Sequence, residues 1–386
     1  MKTKLLFFGL LAGTALFTAC QNELDDNSLN PELTDPIAVT LRIAGGNSTT
    51  MSRVIDDDAT SDLTPNFNDA IIYFYDSSGH ILNTEQVSST TSLAATTGQV
   101  FQDISPNATD VYIVGNTQTL TTNEQSSLSA ATSIDAVQAL VFDLESQQSD
   151  HKDVILAVKI DLENYADHDA EIKQNEDSDY EAKVLLAPSL SRLQLADLST
   201  SDSRIVDFTF EGIYVDNFLP NCLASTTLTQ TTSTQTVGTD ATKLGTLTPN
   251  LCDKPESTLT AGNDKKVTAG ECDDSGDDRV WGYNLSPTSA ESGTVPKIIV
   301  HLTDVKYLDS QGTEQTMDDA YLTITKYMDG STEITNFESG KMYNIEAGAF
   351  VFTYEDLDAV PNAEDVELTV YVTVCPWTVT TVTPQL

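Results

Sequence analysis

Apolar side chains recur at every second position near both ends of this sequence. In Ile37-Ala-Val-Thr-Leu-Arg-Ile43, the residues Ile37, Val39, Leu41 and Ile43 share one face, with Ala38, Thr40 and Arg42 on the other. Near the C-terminus Val366, Leu368, Val370, Val372 and Val374 alternate with Glu367, Thr369, Tyr371 and Thr373. A period of two marks a half-buried strand. Between the two ends, apolar runs bounded by turn residues predict strands at 70–75, 81–87, 110–115, 154–162, 183–195, 206–215, 297–307, 320–328 and 342–353. One segment departs from this period. At 133–145, Ile134, Val137, Leu140, Val141 and Leu144 recur at helical spacing, so a helix is expected there. Many short strands and few helices predict a mainly β fold built from β-sandwiches.

Polar stretches divide the chain. Residues 21–35 read as a tether, and a polar run from Gly45 to Arg53 continues into an acidic, Pro-containing loop that ends near Asn68. Arg53 therefore sits in an exposed segment between two strands, the kind of place where proteases cut. A Ser/Thr/Asp run at 196–203 marks a domain boundary, and the Thr-rich stretch 224–243 is too polar to pack. Pro376 cannot donate a ladder hydrogen bond and marks a break or an edge. Beyond it Trp377, Val379 and Val382 continue an extended tail.

The first twenty residues have the parts of a secretory signal. Lys2 and Lys4 precede an apolar run from Leu5 to Phe17, then the small pair Thr18-Ala19 and Cys20. The run is shorter than the ~20 residues that span a bilayer. A cysteine directly after the small pair is a lipobox, so Cys20 is the expected lipidated N-terminus after removal of the signal peptide 1–19, held in a membrane by its acyl chains. Asp25 and Asp26 follow, as in the surface-export signal of Bacteroidales lipoproteins.

A chain of 386 residues suggests two domains of ordinary size. Its formal charge of −40, which becomes −42 once Lys2 and Lys4 leave with the signal, repels phosphates, so nucleic acid is excluded as a natural partner. Beyond Cys20 come Cys222, Cys252, Cys272 and Cys375, an even number in an exported chain, which permits disulfides in any of three connectivities. Cys252 and Cys272 flank a polar loop and form the favoured pair. The cysteine spacings lack CxxC and the histidines are scattered, so no metal site is expected. The acidic run 273–278 and Asp56 to Asp58 read as solvated loops. No GxSxG, HExxH, Walker or GxGxxG motif occurs, so no catalytic residue and no cofactor are expected.

Taken in order, the lipobox at Cys20, strand 37–43 followed by Arg53, the VYIVGN stretch at 111–116 and the closing VYVTVCPWTVTTVTPQL resemble the fimbrillin family, the type V pilins of Bacteroidales, and within it the minor-fimbria shaft subunits. The resemblance implies two transthyretin-like β-sandwich domains in tandem. It divides the chain into signal peptide 1–19, tether and removable first strand 20–53, N-terminal domain 54–197 and C-terminal domain 198–386. The last of these includes a donor segment at 365–386. It also implies a course of events. The precursor is an outer-membrane lipoprotein that carries a palmitate-type lipid. An Arg-specific, trypsin-like protease cuts after Arg53, and the first strand (Ile37, Val39, Leu41, Ile43) is lost. The donor strand of another subunit (Val366, Leu368, Val370, Val372, Val374, Trp377, Val379) fills the gap. Repetition gives an extracellular fimbrium that supports adhesion. The rival expectation is an outer-membrane glycan-binding lipoprotein, for which Trp281 and Trp377 are the only tryptophans available as sugar platforms.

Overall fold

In the computed structural model the alternating segment near the N-terminus is a strand, β1 (Ile37–Ile43), with Val39, Leu41 and Ile43 buried. The structure describes residues 35–43, 65–91, 93, 97–148, 152–158, 170–175, 179–229, 234–272, 280–289, 295–364 and 366–377. From β1 the chain passes through β2 (Ala70–Tyr75), β3 (Ile81–Val87), β4 (Gln99–Ile104) and β5 (Asp110–Gly115). Helices α1 (Thr122–Ala130) and α2 (Ile134–Gln138) follow. Next come β6 (Val141–Asp143), β7 (Leu156–Val158), β8 (Lys173–Gln174), β9 (Tyr180–Val184) and β10 (Leu186–Pro188). Apart from β6 these strands build two sheets, ordered β4-β1-β9-β8 and β10-β7-β5-β2-β3. The sheets meet face to face, where the rings of Phe74 on β2 and Phe101 on β4 lie 5.7 Å apart. Nearly all of β2 is buried, on both faces, because helix α1 covers its outer side: Tyr73 Oη donates to the carbonyl of Leu128 at 3.1 Å. The start of α1 is fixed by a capping box, in which Thr121 and Glu124 satisfy each other's backbone N–H.

The second set of strands begins with β11 (Ser191–Leu195), β12 (Asp197–Ser199), β13 (Ile205–Asp216), β14 (Asn221–Leu223), β15 (Cys252–Asp253), β16 (Leu259–Thr260) and β17 (Lys266–Thr268). After a short helix, α3 (Ala269–Cys272), it continues with β18 (Trp281–Leu285), β19 (Lys297–Leu308), β20 (Glu314–Asp329), β21 (Thr332–Ile334), β22 (Lys341–Ile345), β23 (Leu368–Tyr371) and β24 (Thr373–Pro376). One sheet runs β18-β11-β22-β24. The other runs β15-β13-β19-β20-β21, with β16 on β13 and β23 on β20. Aromatic rings fill the space between them. Phe210 of β13 packs on Trp281 of β18 at 5.5 Å, and Phe337 stands between Tyr327 of β20 at 5.4 Å and Tyr343 of β22 at 4.0 Å. Two layers closed over apolar side chains make each half a β-sandwich. All described residues belong to one compact unit, Asp35–Leu386. The halves are joined by the small β6–β14 sheet, by a bond from Tyr112 Oη to the Ala224 carbonyl at 2.7 Å, and by one from Gln148 Nε2 to the Asn284 carbonyl at 2.6 Å.

Several expectations change. The helix at 133–145 is confined to α2; beyond it Val141 and Phe142 enter β6, which pairs with β14 and opposes Phe142 to Cys222. A partner distant in sequence overrides the local helical period. The single strand expected at 183–195 is split. Ser189 and Leu190 carry the chain from β10 in the first sandwich to β11 in the second, and Pro188, with no N–H, ends the first piece. The changeover between sheets therefore precedes the polar run at 196–203, which itself carries β12 paired with β17. Within the described part of the Thr-rich stretch Val237 does pack: it is buried with Tyr214, Ile299 and Tyr321 on the outer face of the second sandwich, and the Asp216 carboxylate accepts from Val237 N at 2.7 Å. Cys252 carries a free thiol, so the favoured Cys252–Cys272 disulfide is not formed.

Candidate functional site

Strand β1 is an inner strand. It pairs antiparallel with β4, setting Val39 opposite Phe101 and Leu41 opposite Gln99. On its other side it pairs parallel with β9, setting Val39 beside Tyr180 and Ile43 beside Val184. Its backbone is thus hydrogen-bonded along both edges. Val39 and Leu41 are fully enclosed, Ile43 nearly so, and Ile37 is half-buried at the entry. At the exit Ile43 N donates to the Leu93 carbonyl at 3.2 Å, and Arg42 reaches Glu181 at 3.6 Å on the outer face. Gly98 lies so close to β1 that a Cβ there would meet the Leu41 carbonyl oxygen at 2.6 Å, and its φ of +71° also suits only glycine. Taking β1 away would open a slot between β4 and β9, flanked by Phe101 and Ile104 on one side and Ala182 and Val184 on the other, and leave two unpaired strand edges.

The C-terminal segment occupies two edges of the second sandwich. Leu368 and Val370 are buried where β23 adds in parallel to β20, while Thr369 and Tyr371 point outward, Tyr371 at 59% exposure. Val372 is buried at the crossing between sheets. Strand β24 then runs antiparallel to β22, with Val374 and Cys375 half-buried. Trp377 is fully buried, and Val366 is half-buried ahead of β23. The buried and outward positions of 366–373 are those the alternation predicts. Lys326 holds the start of the segment through Glu367 at 3.5 Å, while also pairing with Glu333.

Strand β1 and the β23–β24 segment lie in different sandwiches, so the chain does not bring the two together. Cys20, Arg53 and Val379 lie outside the described residues, as do the acidic runs 56–58 and 273–278. Both tryptophans are buried, which denies a sugar ring either indole face. A cleft of about 690 Å³ beside α1 is lined by Asp69, Gln86, Thr117, Gln125 and Ser126 among others, with no aromatic ring. Among the described residues no helix is long and apolar enough to cross a membrane. The sequence reading missed β4 and β9, the two walls of the slot. β9 shows a weak alternation in Tyr180, Ala182 and Val184; β4 has a polar run, Gln102-Asp103, that hides it.

Similar folds are found among solved structures. A Bacteroides eggerthii protein described as a "putative cell adhesion protein" superposes with TM-score 0.53 at 13% identity, covering 89% of this chain and 97% of that one. A Parabacteroides distasonis protein of the same description gives 0.50 at 13% identity, covering 89% and 99%. This chain shares their fold. A fimbrilin of Porphyromonas gingivalis W83 gives TM-score 0.49 at 14% identity, covering 90% and 99%. No family model matches the sequence, and no curated protein matches it.

Proposed function

We propose that this chain is a structural subunit of a surface fimbrium, assembled by strand exchange and supporting adhesion. The observation that carries the reading is the position of β1: an inner strand, hydrogen-bonded on both edges, whose apolar face fills the core. Cleavage after Arg53 would separate β1 from the rest of the chain. Each aliphatic side chain withdrawn re-exposes ~1.5–3 kcal/mol of burial, so the emptied slot is a strong acceptor for another strand. The donor is the 366–379 segment of a second copy. It offers alternating Leu and Val side chains of the kind β1 removes, and its present place is at sheet edges, from which a strand can be withdrawn without dividing a sheet. Because donor and acceptor lie in different sandwiches, the contact is head-to-tail and propagates as a fibre. Before cutting, the lipid on Cys20 holds the precursor at the outer membrane. The protease is Arg-specific and trypsin-like. Peptide hydrolysis makes the step irreversible, and the subunit itself carries out no catalysis.

Limited trypsin digestion of the full chain, followed by size-exclusion chromatography, tests the reading. Cleavage after Arg53 and a ladder of oligomers are expected, and Arg53→Ala abolishes both. A cut chain that stays monomeric at high concentration overturns strand exchange.

A further inference from the structure

The VYIVGN stretch ends in Gly115 and Asn116, and the proposed function gives this corner no role. Asn116 sits in the left-handed region at φ +57° and is almost fully buried. Its side chain bonds to three residues on two separate segments. Oδ1 accepts from Asn68 N at 3.0 Å, and Nδ2 donates to the carbonyls of Asn66 at 2.7 Å and Val154 at 2.8 Å. Its own N–H donates to the Asp69 carbonyl at 2.8 Å. Asparagine alone combines tolerance of this backbone with both a donor pair and an acceptor. Gly115 is needed beside it, since a Cβ there would meet the Phe67 ring at 3.0 Å and Leu156 at 3.1 Å. The other side of the same segment is tied as firmly. Asn66 N donates to the Lys152 carbonyl at 2.8 Å, and the Asn66 and Asn68 amides both reach Asp153 Oδ1, at 2.8 and 3.0 Å. Asp69 accepts from Thr117 N at 2.8 Å.

We propose that the Gly115–Asn116 corner is a stop at which peeling of the cut chain ends. Strand β1 leaves after cleavage, while 66–69 stay stapled and hold β2 in its sheet. This rests on the strand-exchange reading. Residues 66–69 lie directly ahead of β2, the strand through which β3 and β5 are joined. Without a clamp, fraying of the new end would run into β2 and collapse the slot before a donor arrives. Gly115 and Asn116 are positioning residues; neither touches the donor.

The test uses the full chain with a specific protease site introduced within 44–64, so that it does not depend on Arg53. Asn116→Gly keeps the left-handed corner and removes the three side-chain bonds. Hydrogen exchange of 66–75 is followed before and after cutting, with and without excess synthetic peptide 366–386. Before cutting, faster exchange is expected at 66–69 only. After cutting, β2 stays protected in the wild-type chain and exchanges about tenfold or more faster in Asn116→Gly. Equal protection of β2 in the two cut chains overturns the stop. Should Asn116→Gly fail to fold uncut, Phe67→Ala, which removes the ring seated over Gly115, is read in the same way. If the cut wild-type chain neither binds the peptide nor forms oligomers, strand exchange is wrong, while the exchange comparison still decides the stop.

Discussion

The backbone N–H of Trp377 donates to the carbonyl of Gly340 at 2.8 Å, and with that bond the C-terminal segment is fastened to its own sandwich. The indole is fully buried, yet its Nε1 finds no acceptor among the described residues. A buried donor left unpaired costs about 1–3 kcal/mol. The segment therefore rests in a home that is well packed and incompletely bonded, a suitable condition for the withdrawal that the proposed strand exchange requires.

Trp377→Phe keeps a large ring and removes the orphan donor, so the monomer's urea midpoint is expected to hold or rise. Trp377→Ala loses the packing and is expected to lower stability by about 3–5 kcal/mol. A drop of similar size for both variants would show that the indole nitrogen is satisfied by a partner.

Leu41→Ala truncates a fully enclosed side chain in β1. A loss of about 2–5 kcal/mol is expected in the uncut chain by equilibrium unfolding. The same change should speed strand release after proteolysis, because the incoming donor no longer competes with a well-packed resident. Slower oligomer growth than wild type would argue against β1 as the displaced strand.

Val370→Asp places a charge at a buried position of β23. The cut variant is expected to retain its slot and accept wild-type peptide 366–386, while failing to polymerise by itself. Size-exclusion profiles of variant alone and variant with peptide separate donor from acceptor function.

Stability should fall in acid partly through Asp202. Its carboxylate accepts from Arg204 side-chain and backbone groups and from Tyr354 N at 3.0 Å, which holds it well below the usual carboxylate range. A depressed folded pKa contributes stability that is complete above the unfolded value of ~3.9 and is lost as pH falls toward the folded one. Asp202→Asn is therefore expected to lower Tm at pH 7 and to flatten the further decline below about pH 4. Since Arg204 is well exposed, the effect should shrink in high salt.

Thiol titration checks the cysteines. Burial pushes the Cys222 thiol far up, so it should react with a thiol reagent only on unfolding, whereas Cys252, half-exposed, should react in the native protein.

Residues 37–43 and 366–374 reveal their faces in sequence because a strand with one buried side must alternate, and that rule is local. The same locality made 70–75 and 110–115 readable to the residue. Other features depended on contacts that no local period encodes. Val141 fits a helix until β14, far along the chain, offers it a strand partner. Residues 183–195 look like one strand until Ser189 and Leu190 send the halves into different sandwiches. Above all, the sequence shows that β1 is amphipathic; that it lies inside its sheet, between an antiparallel and a parallel neighbour, was decided by β4 and β9 closing on it. Side-chain periodicity records which face is buried, whereas edge or interior position is set by backbone hydrogen bonds to distant segments, and those leave no mark on the residues that make them.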